Sequence, residues 1–563
     1  MKKLGLLFIA AILLISCSST VEVKKESIKR TGTKENNGRY ITAYGKLNAL
    51  FLFIQFDDDS TTKSDGWPYD TTRFPSWASG FVNDENSNDY SNKNLSQYFH
   101  EMSFGNFEFC GYVYPKLVRP KFEQAHYKSI AEVNSEVLLA LDGEIDFSKF
   151  DNWKYVKVKQ FENTPDGTVD MIFLIYRNFT DRLFFNNRWT GSAELYLLKD
   201  IKTNDGVTIK RGQMKSGLQM RGGIHGFEYS KYVAAHEFGH FLFGAMHIEG
   251  LTNLCLMAGG PVWNAARGMV SWEKEQLGWI SYTDVDTTRD VVYRLGDFQT
   301  TGQVLRINTS PDEYFMIENR DKKSIHDWAG DKGVYIYHYQ RIISLAPKID
   351  VMCADGNWQF EPDKNDMTLH KTIPDRGGRN ELNYSHYFGK TNFTCSAPLY
   401  EDNSAWGDEY DAFDETYNNV FSPVSNPSST NNAKKQFSIE VLENNGGIYK
   451  LKIFFNDVFG GKPSKPQGLS VKISDDSIPQ LEWYHNEEPD LAGYRIYRIA
   501  GDKNSGYKKQ IGLVKKGQFS ASKKIIWFDK DFGKNREKNV FFYTVTAFDD
   551  SGNESVLSEI IPL

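Results

Sequence analysis

Residues 236–247 read HEFGHFLFGAMH, and no other stretch restricts so tightly what must be built around it. His236 and His240 stand four residues apart, so a helix projects both imidazoles from one face and lets them share one metal ion. Glu237 lies between them, placed to take a proton from a metal-bound water without being a ligand itself. Gly244 offers a residue at which the helix can end in a left-handed turn, beyond which His247 can come round as third ligand. Glu249 is the main rival for that third position. Three imidazole nitrogens and a water make an open tetrahedral site, the catalytic rather than the structural form of zinc binding. Zn2+ is therefore the expected cofactor. The run around the motif suits a helix, since Tyr229–Phe243 contains no proline and Ser230 is an acceptable N-cap. Phe238 and Phe241 are three apart and are expected to pack the core. With 11 His in the chain, composition alone produces such a match on the order of once in a hundred chains.

A chain of 563 residues is too long for one core, so about three domains are expected. Hydrophobic content of 40% and charged content of 25% are ordinary for soluble globular protein. A net charge of -7, with no basic tract, argues against nucleic acid as a partner.

The N-terminus carries an address. Met1-Lys2-Lys3 precedes an apolar stretch from Leu4 to Ile15, and Leu14-Ile15-Ser16-Cys17 matches a bacterial lipobox. The apolar stretch is too short to span a bilayer, which makes it a signal peptide rather than a membrane helix. The match implies cleavage before Cys17, lipidation of its thiol, and attachment to the bacterial membrane. A plain secretory signal with a chance Cys is the alternative. Residues 1–16 are thus expected as signal peptide and 17–43 as a flexible, polar tether. The expected location is the cell envelope, at the outer membrane or cell surface, or the medium after release. The four other cysteines, Cys110, Cys255, Cys353 and Cys395, allow three pairings. Cys353 with Cys395 is favoured because both fall in one β-region.

Folded structure is expected from Tyr44. Leu47–Phe56 (LNALFLFIQF) has the length and apolarity of a buried strand. Asn94–Ser103 has helical spacing with Asn94 as cap, and Phe107–Tyr114 and Asp170–Tyr176 read as further strands. A helix around Ser271–Leu277 closes an α+β catalytic domain, 44–285. Short strands and turns then define a β-rich domain, 286–459. Within it, Glu401–Glu415 gathers carboxylates that could hold a structural Ca2+, although EF-hand spacing is lacking and a solvated acidic loop is the commoner explanation. Gly460–Pro466 is a linker by composition. Beyond it, period-two segments such as Tyr494–Arg498 and Phe542–Ala547 suggest a β-sandwich that looks like a fibronectin type III module, 460–563, with Trp483 and Tyr543 in its core.

Several motifs carry a family resemblance. Leu256-Met257-Ala258-Gly259-Gly260 resembles the turn with a buried Met beneath the metal of metzincin peptidases. Residues 95–105 (LSQYFHEMSFG), 271–279 (SWEKEQLGW), 313–320 (EYFMIENR) and 333–338 (GVYIYH) join the metal motif in resembling the immune inhibitor A-like family of secreted bacterial zinc peptidases. The likeness covers about Leu47 to Phe455. It implies a zincin-like catalytic domain and endopeptidase activity on proteins. It also implies zinc on His236 and His240, with Glu237 as acid–base. Gly244 and His247 each come one residue later than in the common metzincin spacing, a concerted shift that keeps the interval from turn to ligand. The interval from Cys17 to Tyr44 leaves no room for a folded inhibitory prodomain. Pro261-Val262-Trp263 follows the Met turn, so no Tyr can be assigned to an oxyanion there.

Two other readings compete. The chain could be a surface adhesion or glycan-binding lipoprotein whose β-rich half and sandwich module do the work, with hydrolysis secondary or absent. It could also keep the zinc chemistry but act on a peptidoglycan peptide or a mucin-type glycoprotein. An intact His236, Glu237 and His240 argues against a decayed enzyme. His225, His326 and His338 are expected to be structural hydrogen-bonders.

Overall fold

The computed structural model describes residues 20–23, 38–61, 66–67, 75–180, 182–183, 190–222, 226–248, 251, 254–258, 268–341, 347–356, 360–362, 369–371, 409–504, 507–518, 524–532 and 540–563. They form mostly β-sheet with few helices.

The strand Gly45–Ile54 carries GKLNALFLFI and is buried on both faces. Leu47, Ala49, Phe51 and Phe53 point into one core. Leu50, Leu52 and Ile54 point into another. Burial on both faces is why the sequence here is continuously apolar instead of alternating. Phe107–Val113 and Ile172–Tyr176 flank it in parallel, and Gly217–Arg221 extends the sheet in parallel again. Gly191–Ser192 closes that edge antiparallel to Gly217–Arg221. Helix α1 (Leu95–Met102) starts where expected, with the Asn94 side chain accepting from the Gln97 N–H. Helix α2 (Ile130–Leu141) covers the second face, through Val133, Val137 and Leu138. Helix α3 (Gly226–Phe243) lies on the first, with Phe238 at 5.1 Å from Phe99 and 5.0 Å from Phe109 between ring centroids.

Helix α4 (Ser271–Gln276) leads into two further sheets. One contains Leu305–Ser310, Glu313–Arg320, Gly333–Gln340 and Lys348–Val351, hydrogen-bonded in that order. Its Met316, Tyr335 and Tyr337 join the core beneath α3, while Phe315, Ile317 and Ile336 face the second sheet. One core therefore runs across the boundary expected between 285 and 286. The second sheet contains Val291–Leu295, Ile448–Phe454 and Ser438–Asn445. At the C-terminus two more sheets enclose a separate core around Trp483, Tyr494 and Tyr543, forming a β-sandwich.

The stretch expected as a flexible tether, 17–43, departs from that expectation in its described parts. Thr20–Glu22 is a strand parallel to Val291–Leu295, with Val21 packed against and Val23 inside the core below. Ile41 and Ala43 are buried in the core under α3. A polar composition concealed these few apolar residues, and the edge of the strand Val291–Leu295 gave Thr20–Glu22 its backbone partners. Cys17 and the segment 1–16 lie outside the described residues, as does Cys395. Among the described residues no helix is long and apolar enough to cross a membrane.

Candidate metal centre

Helix α3 begins at Gly226, earlier than the Ser230 cap expected from sequence. Ser230 sits inside the helix, buried, and its hydroxyl donates to the Gly222 carbonyl at 2.8 Å. That bond ties the helix to the end of the neighbouring strand. At the other end Gly244 has φ +95°, the left-handed conformation that glycine adopts without a Cβ penalty. Arg39 and Tyr40 donate their backbone N–H groups to Leu242 and Phe241, each at 2.9 Å, and so satisfy carbonyls that a helix end leaves open.

The turn brings His247 back to face His236. Their rings are parallel within 8° and their Nε2 atoms stand 3.2 Å apart. His240 meets both nearly edge-on, with ring centroids 5.0 Å from His236 and 4.9 Å from His247. One nitrogen from each ring falls within 4.8 Å of the others. Carbonyl oxygens fix two tautomers. His236 Nδ1 is 2.8 Å from the Leu256 carbonyl and His240 Nδ1 is 3.0 Å from the Gly244 carbonyl. A carbonyl only accepts, so both Nδ1 atoms carry the proton and both Nε2 lone pairs face the common point. Burial lowers the pKa of His240 and so favours the neutral ring that a metal needs. Two nitrogens on one tetrahedral zinc, at about 2.0–2.1 Å each, stand roughly 3.3 Å apart. The donor set and its spacing fit that ion.

Met257 packs beneath α3. It is fully buried, and a Cβ added to Gly239 would come 2.4 Å from its sulfur, which places the thioether against the helix beside His240. Glu237 forms a wall. It is almost fully buried, and burial pushes its carboxyl up to about 8 against the pull of the Ala193 N–H. A dication beside it would draw that value down. The strand Gly191–Ser192 passes so close that a Cβ on Gly191 would stand 2.6 Å from Glu237 Oε1.

Other expected residues are placed as follows. His326 is buried between the Tyr232 hydroxyl (2.6 Å) and Gln97 Oε1 (2.7 Å), and His338 meets Glu313 at 2.8 Å. Both are hydrogen-bonders away from the triad. Glu249, His225 and residues 261–263 lie outside the described residues. So does 401–408 of the acidic stretch, but Asp411 is buried with ligand atoms of Asp355 and Cys353 nearby. Sequence reasoning did not single out Gly191, which no motif marks. Nor did it give Glu273 a role, although the residue lies in the 271–279 motif.

No family model matches the chain, and no curated protein matches it. Among solved structures, a spore cortex lytic enzyme of Clostridium perfringens aligns at 20% identity and TM-score 0.15, over 22% of this chain and 38% of that one. An Fn3-like protein from Clostridium thermocellum aligns at 21% identity and TM-score 0.14, over 18% of this chain and 93% of its own. The sixth fibronectin type III domain of a human protein aligns at 12% identity and TM-score 0.14, covering 18% and 86%. Likenesses this small decide nothing about activity.

Proposed function

We propose that the chain is a zinc-dependent endopeptidase, lipid-anchored at the bacterial cell envelope, that hydrolyses peptide bonds of extracellular proteins. In this reading the layers around α3, whose core continues past residue 285 into the sheet that carries Met316, Tyr335 and Tyr337, form a zincin, metzincin-like domain of the immune inhibitor A-like kind, and 460–563 is a fibronectin type III-like module. One observation carries it: two imidazoles whose tautomers are set by backbone carbonyls aim their lone pairs at a point that a third imidazole also reaches. His236, His240 and His247 would hold the zinc. When bound, the ion supplies a Lewis acid and lowers the pKa of a coordinated water towards neutrality. Glu237 takes a proton from the attacking water on its carboxylate and returns it to the leaving amine. Gly191 and the Ala193 N–H confine that carboxylate to one side of the site. The adjoining strand edge at 191–192 gives an extended substrate backbone a place to lie.

Glu237→Ala should keep zinc and lose proteolysis by at least about a hundredfold, the usual scale of a general base. Casein, a mucin and cell-wall peptides, each with and without chelator, test both the activity and its substrate class. Chelator-insensitive cleavage, or an unchanged rate in Glu237→Ala, would remove the reading.

A further inference from the structure

We propose that Glu273 is a positioning residue of the metal centre, acting on His236 through one peptide group; the inference rests on the zinc reading above. Glu273 lies on α4 and is fully buried. Its Oε2 accepts from the Val270 N–H at 3.0 Å, the bond a helix-capping glutamate makes to its own N-cap. Capping needs no more than that. Yet Oε2 also accepts from Leu256 N at 3.2 Å, and Oε1 accepts from Met257 N at 2.8 Å.

The N–H of Met257 and the C=O of Leu256 belong to the same peptide plane. That carbonyl is the one that accepts the His236 Nδ1 proton at 2.8 Å. Carboxylate, peptide and imidazole therefore stand in series. A negative charge on the N–H side of a peptide enriches its carbonyl oxygen, which strengthens the bond to Nδ1–H and makes Nε2 the better donor. The arrangement is the carboxylate–histidine–metal triad with a peptide group inserted. The next carbonyl, Met257 O, accepts from Ile248 N at 2.7 Å, beside His247. The segment that Glu273 holds by two N–H groups thus braces two of the three imidazoles.

The test is zinc affinity by chelator competition, with cobalt(II) absorption as a second readout. Glu273→Gln should weaken zinc binding about 10- to 100-fold, the usual cost of losing an outer-shell partner, and shift the cobalt bands. Lys274→Met is the control. It is equally buried on the same helix, but its ammonium bonds Gln299 and packs on Phe104 and Phe298, not on the Met turn. Its affinity should stay within about twofold of wild type. Glu273→Asp keeps the charge but is a methylene too short to hold both peptides, and should weaken binding as well. A folded Glu273→Gln or Glu273→Asp with wild-type affinity and spectrum overturns the relay alone. So does failure of both to fold while Lys274→Met folds, because Glu273 is then a residue of the general core. No zinc uptake by wild type sinks the metal reading itself.

Discussion

Gly191 illustrates how a residue without a side chain can confine a neighbouring carboxylate, that of Glu237. A Cβ there would stand 2.6 Å from Glu237 Oε1 and 2.6 Å from its Cγ, closer than real contacts allow. Gly191→Ala must therefore push the carboxylate aside while leaving the three imidazoles where they are. We expect proteolysis to fall at least about tenfold with zinc affinity unchanged, since misplacing a catalytic group by about 1 Å is costly. Equal loss of zinc and activity would show that the strand supports the whole site rather than Glu237. At this scale His236 and His240 were legible because i, i+4 spacing alone puts them side by side, and His247 because a glycine at 244 allows the chain to turn back. Gly191 reaches Glu237 by tertiary approach from 46 residues away, and nothing local announces it; Glu273 lies in the 271–279 motif, but that motif does not say which backbone groups its carboxylate binds.

Among the elements, α3 depends on how it stops. Gly244 combines φ +95° with the Arg39 side chain, whose Cδ would lie 3.1 Å from an added Cβ. Gly244→Ala should cost about 1–2 kcal/mol, read as a lowered unfolding midpoint of the metal-free protein. The same change should weaken zinc binding, because the turn delivers His247. A loss of stability without weaker zinc would mean that His247 finds its place independently of the turn. The stop of this helix was legible, since glycine there has a conformational reason. Its start was not: Ser230 has capping chemistry, but its hydroxyl is taken by Gly222 of an adjacent strand end, and the helix continues past it towards Gly226. Asn94 did cap α1, its Oδ1 accepting from the Gln97 N–H while its Nδ2 donates to Asn83 Oδ1 at 2.8 Å.

The whole molecule divides differently from its sequence. The change of pattern to short strands and turns suggests a break near residue 285, yet Met316, Tyr335 and Tyr337 sit in the same core as Phe238 and Met257. Fragment 44–285 should therefore lack a cooperative thermal transition, while 460–563, whose core around Trp483 and Tyr494 is its own, should unfold cooperatively when expressed alone. Calorimetry of the two fragments decides it, and a sharp transition in 44–285 would contradict the shared core. The sandwich was legible because its strands alternate, one face wet. The central sheet of the middle region is buried on both faces by different layers, which local periodicity cannot assign to either.

The strand at Thr20–Glu22 also governs reach. Only Ser18 and Ser19 separate it from Cys17, and three consecutive Cα–Cα steps extend at most about 11 Å. Were Cys17 acylated, the body could not wander on a long leash. It would sit against the headgroups, limited to bonds that a neighbour presents within a molecular diameter of the bilayer.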